Sequence, residues 1–250
     1  MESIAATFGE CLAGILSTVA HTVDVQLCAQ DGCRIVNFYT KFPIKEVKSV
    51  KEYSISLGSM YSQESRSILF KLSLRKMEAA LKSHSLITVV VKYVNTLNGL
   101  EQKISLPIVI GRPTLCKEES IPVELDKQIN RYTAAAAIEE AVKKAVLKDY
   151  PGAQRQLKEV IEIVQNSPSA KDPSAKEYCE DLVEDLKECA LGMENNEVFT
   201  MGIHYAHAYS TMYYMERSTG SSNLKGVLKE EAREKMVMDM LLMLKKRKQI

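Results

Sequence analysis

The stretch Phe8-Gly-Glu-Cys-Leu-Ala-Gly-Ile-Leu-Ser-Thr-Val-Ala-His-Thr-Val-Asp-Val-Gln-Leu27 decides how this chain of 250 residues is read. Phe8, Leu12, Ile15, Leu16 and Val19 recur at helical spacing. From Val23 the pattern changes to alternation, with Val23, Val25 and Leu27 on one side and Asp24 and Gln26 on the other. The spacing predicts an amphipathic helix over residues 1–21 that runs without a break into a β-strand. Two kinds of structure therefore meet at the start of the chain, and the rest separates into the same two kinds.

Downstream of residue 22 the period stays mainly at two. Val23–Cys28 and Arg34–Phe38 are predicted strands, joined into a hairpin across Asp31-Gly32. Ile44–Val50 is a further candidate, and Tyr53, Ile55 and Leu57 alternate with polar partners up to Gly58. Ile68–Leu74 alternates again. Leu86–Val94 is a β-branched run that Asn98-Gly99 turns into Leu100–Ile110. About seven short strands over residues 22–111 point to an antiparallel two-sheet sandwich; a barrel gives similar spacing.

Near Gly111-Arg-Pro113 the period changes to 3.6. Residues 112–122 carry prolines and mixed charge and serve as a linker, and residues 123–250 are predicted to form an α-helical domain. The first helix, from about Glu124 to Lys148, places Leu125, Ile129, Tyr132, Ala136, Ile138, Val142 and Ala145 on one face, and Tyr150-Pro-Gly152 is expected to break it. A second helix carries Leu157, Val160, Ile161 and Val164. The polar segment Ser167–Ser174 reads as a loop. A third helix shows Cys179, Leu182, Leu186 and Cys189, and a fourth runs from about Glu197 to Arg217. A last helix carries Val227, Met236, Met240, Leu241 and Leu244. The expected class is α+β: a β-sandwich followed by a helical bundle.

Composition narrows the function. The 33 basic and 32 acidic residues leave a net charge of +1, which gives no broad field for nucleic acid or an anionic membrane. The basic run Lys245–Lys248 closes a helix, where cations are favoured in any case. No apolar run approaches the ~20 residues of a membrane span, and no secretory leader is visible at Met1-Glu-Ser-Ile. The six cysteines form no C-x-x-C pair, so they are expected reduced and packed, in a cytoplasmic protein. Cys28 and Cys33 flank the Asp31-Gly32 turn and would face each other across a hairpin.

Phe8–Ser17 resembles the last helix of a von Willebrand factor A domain, in the branch where an F-x-x-C-L-x-G-L-L-S-type helix leads into a β-sandwich and then a helical segment. Gly58-Ser-Met-Tyr61-Ser-Gln-Glu64-Ser-Arg66 is similar to that branch's G-x-x-Y-x-x-E-x-R motif. Gly111-Arg112-Pro113, the Ala-rich Tyr132–Ile138 and Met215–Gly220 resemble it more weakly. The resemblance implies that residues 1–21 are the remnant of an A domain lying upstream. The metal motif D-x-S-x-S is absent; Asp172-Pro-Ser174 does not satisfy it. RING, U-box and Hint modules, which relatives carry, are absent too. Lys148–Ala153 between two amphipathic helices, ending in Asn166-Ser-Pro168, is similar to one tetratricopeptide unit, and a solenoid needs about three.

No catalytic constellation stands out. Ser17 and His21 lack a strand-turn-helix elbow, and no phosphate-binding glycine loop occurs. Gly58, Tyr61, Glu64 and Arg66 are expected to hold a turn, with Glu64 and Arg66 as a surface ion pair worth ~0–1 kcal/mol. His204 and His207 share one side of a helix and are the metal-ligand candidates, with Glu197 as the nearest third group; an aromatic packing face of Tyr205, Tyr209, Met212 and Tyr213 explains the same stretch. Leu12, Ile15, Leu16 and Val19 need cover and are the expected partner-binding or self-association stripe. The expected function is a non-catalytic interaction or scaffolding module with a protein partner and no cofactor. The alternatives are the substrate-recruiting part of a ubiquitin-ligase assembly, or a metal-binding helical protein.

Overall fold

The computed structural model describes residues 17–48, 51–62, 64–114 and 120–215. They form two compact units that part between residues 119 and 120. The first holds seven strands: β1 Thr18–Ala29, β2 Cys33–Tyr39, β3 Ile44–Lys48, β4 Glu52–Tyr61, β5 Leu69–Leu74, β6 Leu81–Asn95 and β7 Glu101–Arg112. They build a five-stranded sheet in the order β3-β4-β1-β6-β7 and a two-stranded sheet of β2 and β5. Every pairing among the described strands is antiparallel, and neither sheet closes into a barrel. The α+β class with sheets first and helices second is as expected.

Alternation in β1 places Val23, Val25 and Leu27 on the face that packs inward, at 3, 7 and 2% exposure. The register sets Val25 beside Ile55 of β4 and Val91 of β6, and Leu27 beside Tyr53 and Val89. The two-stranded sheet lies on this face: Phe38 of β2 meets the Tyr53 ring edge-on at 5.1 Å and lies 6.2 Å from Phe70 of β5. Ile35 and Phe42 are buried with them.

Three expectations for this unit are corrected. The turn at Asp31-Gly32 forms, with Gly32 at φ +83 and Cys33 N donating to Gln30 O at 3.0 Å, but β1 and β2 do not pair. The turn passes the chain from one sheet to the other, because β1 already has a partner on each side. Cys28 and Cys33 therefore do not face each other across a hairpin, and both thiols are free. Second, the strand reaches back to Thr18, so Thr18–His21 are not helical: Thr18 pairs with Tyr61 and Ala20 with Asn95. Residues 1–16, with Leu12, Ile15 and Leu16, lie outside the described residues. Third, β4 does not stop at Gly58. It continues through a bulge where His21 and Thr22 together oppose Ser59, with Gly58 at φ +73 and Thr22 at φ 49.

The second unit contains α1 Val123–Val146, α2 Tyr150–Asn166, α3 Pro168–Lys171, α4 Lys176–Leu191 and α5 Asn196–Met215. The small residues Ala134, Ala135, Ala137, Ala141 and Ala145 of α1 are buried almost completely, which lets neighbouring helices approach closely. Ile138, Leu157, Val164, Leu182, Leu186 and Met193 fill the core. The expected break falls at Leu147–Asp149, and Tyr150-Pro-Gly152 opens α2: Asp149 caps it by accepting from Gly152 N at 3.0 Å, and Pro151 occupies the first turn, where its missing N–H is harmless. Ser167–Ser174 is not wholly loop, because Ser167 ends α2 and caps the short α3 by accepting from Ala170 N at 3.3 Å. The helix expected beyond residue 217 lies outside the described residues. No helix among the described residues is long and apolar enough to cross a membrane.

Candidate functional site

The G-x-x-Y-x-x-E-x-R segment folds into a clamp at the end of β4. The Glu64 carboxylate accepts from Tyr61 N at 2.8 Å and from Arg66 Nε and Nη2 at 3.1 and 2.9 Å. The Arg66 guanidinium also donates to Leu57 O and, at 2.9 Å, to Ser59 O, and it stands over the Phe42 ring at 5.5 Å. The side chains of both charged residues are only 2% exposed, so the expected surface ion pair is corrected to a buried one. Arg66 ties together the backbone on both sides of Gly58, at the point where the bulge would otherwise leave carbonyls unpaired. Gly58, Tyr61, Glu64 and Arg66 are thus brought together, and each is occupied in holding the strand.

His204 and His207 lie on the exposed face of α5, as does Glu197. Among the described residues no group of three or more His, Cys, Asp or Glu is placed to hold a metal ion. The aromatic side of the same helix is buried and polar at its tips. Tyr209 donates to Glu188 at 2.8 Å, Tyr213 to Asp185 and Tyr214 to Glu139 at 3.2 Å. Burial pushes all three phenols above their ordinary range, and the neighbouring carboxylates add to the shift. Burial likewise pushes the Cys189 thiol up, so it is no reactive thiolate.

Sequence periodicity missed a second polar seam. Leu125 and Ile129 were expected in the core but are 42 and 36% exposed, while Asp126, Asn130 and Arg131 are buried. Asn130 Nδ2 donates to Ser167 Oγ at 2.8 Å and Ser169 Oγ at 2.9 Å, and Asp126 accepts from Ser169 N at 2.8 Å. Arg131 donates to Gln128 at 2.7 Å and to Tyr213 O. Ser167, which caps α3, and Ser169 within it supply the partners that let α1 turn its polar side inward. These groups satisfy one another, which marks the seam as an internal lock.

The surface with spare capacity lies on the first unit. On β7, Ile104, Leu106 and Ile108 share the inward face with Val91, Val89 and Ile87 of β6. Exposure along this face climbs from 0% at Ile55 and 2% at Leu27 to 47, 61 and 37% at Ile104, Leu106 and Ile108. Among the described residues of this unit, the two-stranded sheet covers the β4–β1 half and does not reach the β7 half. Sequence alternation alone indicates one apolar face here but not where its cover stops. Val19, the described member of the expected docking stripe, is 39% exposed on β1.

Comparison with known proteins adds the following. Residues 123–226, under half of the chain, match the family described as CPSF6-like, RSLD domain, N-terminal region. No curated protein matches significantly in sequence. The solved structure of von Willebrand factor type A from Catenulispora acidiphila aligns over 75% of this chain and 43% of that one, at 14% identity and a TM-score of 0.52. The ArnB paralog VWA2 from Sulfolobus acidocaldarius aligns over 70% of this chain and 42% of that one, at 15% identity and a TM-score of 0.30. The chain thus spans less than half the length of either. At 14% identity the first likeness is one of fold: this chain is similar in architecture to part of a von Willebrand factor type A protein.

Proposed function

We propose that this chain is a non-catalytic protein-interaction module, equivalent to the region that follows the A domain in a von Willebrand factor A protein. The supporting observation is the open half of the sheet face, where three large aliphatic side chains on one strand are 37 to 61% exposed. A contiguous uncovered apolar patch on an otherwise well-packed unit is the usual mark of an association site. The charged and polar clusters elsewhere support the same reading, because their groups are spent on one another. The antiparallel pairing throughout the described strands and the missing D-x-S-x-S motif support placing the chain outside the A domain itself.

The test is proximity labelling in the source cells with the wild-type chain and with Ile104→Ser/Leu106→Ser. The expected result is a set of protein neighbours lost from the double variant while circular dichroism shows the fold retained. An unchanged neighbour set refutes the patch as the interaction surface. A saturable turnover that fails on replacing Glu64 or His204 refutes the non-catalytic reading.

A further inference from the structure

Leu125, Ile129, Tyr132 and Ala136 follow one another at i, i+4, i+7 and i+11, which makes one stripe along α1. Of the α1 residues that spacing assigned to an apolar face, Ile138, Val142 and Ala145 are buried. Leu125 and Ile129 are left exposed among the described residues, with Ile121 exposed just ahead of the helix. The stripe has a definite place on the helix. On one side of it Asp126 and Asn130 face Ser167 and Ser169. On the other side Tyr132 meets the ring of Tyr214, on α5, edge-on at 5.6 Å. The stripe therefore runs between these two neighbours and adjoins α5.

The course of α5 says where the chain goes next. Ser210 Oγ donates to Ala135 O at 3.2 Å, the Arg131 guanidinium donates to Tyr213 O, and Tyr214 meets Tyr132. Each step forward on α5 is a step back on α1, so the two helices are antiparallel. The chain leaves Met215 heading for the first turns of α1, where Leu125 and Ile129 stand. Ser218-Thr-Gly-Ser-Ser222 comes next, a small and polar connector of the length that joins antiparallel neighbours in helical bundles. Beyond it Leu224, Val227 and Leu228 recur at i, i+3 and i+4, and Met236, Met240, Leu241 and Leu244 carry the apolar pattern on. As a helix, residues 223–244 measure ~33 Å, against ~36 Å for α1.

We propose that the exposed stripe on α1 is the docking site of this chain's own residues 223–244, which turn back after α5 and lie along α1 as a helix. Leu224, Val227 and Leu228 then cover Leu125 and Ile129 beside the Tyr132–Tyr214 pair. A five-residue connector holds the segment at an effective concentration in about the millimolar range, which favours it over a separate partner offering the same contacts. The two exposed aliphatic side chains that spacing assigned to the core thereby become core residues. This inference is independent of the sheet-face reading, because it concerns the helical unit alone.

The test uses the purified full chain. With Ile129→p-benzoylphenylalanine, irradiation is expected to join position 129 to residues 223–244 of the same molecule, read by peptide mapping of the monomer. The same photoreactive group at Ile163, exposed on α2, is expected to give no such product. Hydrogen exchange is the second readout. Amides of residues 227–241 are expected to be protected in the wild-type chain. Leu125→Asp/Ile129→Asp is expected to speed their exchange at least tenfold while α2 and α4 keep their protection. Failure to join position 129 to any residue of 223–244 overturns the proposal. A cross-linked dimer in place of the intrachain product also overturns it, by making a second copy the occupant. So does exchange over 227–241 that the double variant leaves unchanged. Where the double variant loses the protection of α2 and α4 as well, the cross-link alone decides, since it is read with the aspartates absent.

Discussion

Replacing Glu64 by alanine tests the clamp directly. The substitution removes three hydrogen bonds to one carboxylate, those from Tyr61 N, Arg66 Nε and Arg66 Nη2. It leaves a guanidinium in a site where the side chain is 2% exposed, still bonded to two carbonyls but without its counter-charge. Breaking a buried pair from one side is destabilising by about 3–5 kcal/mol, against ~0–1 kcal/mol for an exposed one. The expected loss for Glu64→Ala is therefore about 3–5 kcal/mol. Arg66→Met is expected to lose somewhat less, since Glu64 retains the Tyr61 amide. The double variant carries no stranded charge and should fall short of the sum of the singles by about 1–3 kcal/mol. The assay is urea unfolding of the full chain, read by hydrogen exchange at β1 and β4 amides so that the first unit is followed by itself. A single-variant loss below about 1 kcal/mol, with additive effects in the double, would mean that the pair behaves as a solvated one and that the clamp reasoning is wrong.

Two further predictions concern the helical unit. Burial, then Asp185, holds the Tyr213 phenol above its ordinary value, and burial does the same for the Cys189 thiol. Both groups stay protonated in the folded state while they ionise in the unfolded chain. Their contribution is therefore intact below about pH 8.5 for the thiol and about pH 10 for the phenol, and falls as pH rises further, by up to ~1.4 kcal/mol per pH unit each. Urea midpoints measured from pH 7 to 11 should decline above about pH 9, and Tyr213→Phe should flatten the steepest part while lowering stability at neutral pH by about 1–3 kcal/mol. A midpoint that stays level to pH 11 contradicts this. At the meeting of α4 and α5, a Cβ on Gly202 would come within 3.0 Å of the Gly192 carbonyl oxygen. Since that atom is backbone, Gly202→Ala is expected to lower stability by about 1–3 kcal/mol, and a melting temperature equal to wild type would show that the helices part freely.

Much of the architecture was legible in the residues, and the failures have physical causes. Alternation in Val23–Leu27 and Leu86–Val94 marks strands because each buries one face, and Asn98-Gly99 marks a true hairpin because its two runs have no other neighbour between them. Asp31-Gly32 carries as strong a turn signal, yet a turn specifies only that the chain reverses. Which strands then pair depends on how many edges β1 offers, and that is decided by residues 52–61 and 81–95. The α1 register failed for a related reason. Leu125 and Ile129 outrank Asp126 and Asn130 on hydropathy alone, but Ser167 and Ser169, some forty positions away, supply hydrogen bonds that make the polar side the better one to bury. The Glu64–Arg66 pairing was visible from spacing, whereas its burial was not, because Phe42 and the Leu57 and Ser59 carbonyls that enclose it belong to other segments. The open face was not foreseen either, since periodicity reports which side of a strand is apolar and not how wide the opposing layer is.

The passage of the chain from sheet to sheet at Gly32 bears on the order of folding. β1 is the central strand of the five, and its two neighbours are β4, which ends at Tyr61, and β6, which ends at Asn95. On a growing chain, made at about 5–20 residues per second, the first strand to emerge waits several seconds for its second neighbour. For that interval Val25 and Leu27 have a free hydrogen-bonding edge beside them, which is the species a chaperone would hold or an aggregate would recruit. Long-range pairing of this kind also places the first unit among slow folders, while the local contacts of the helical unit allow it to form quickly once made.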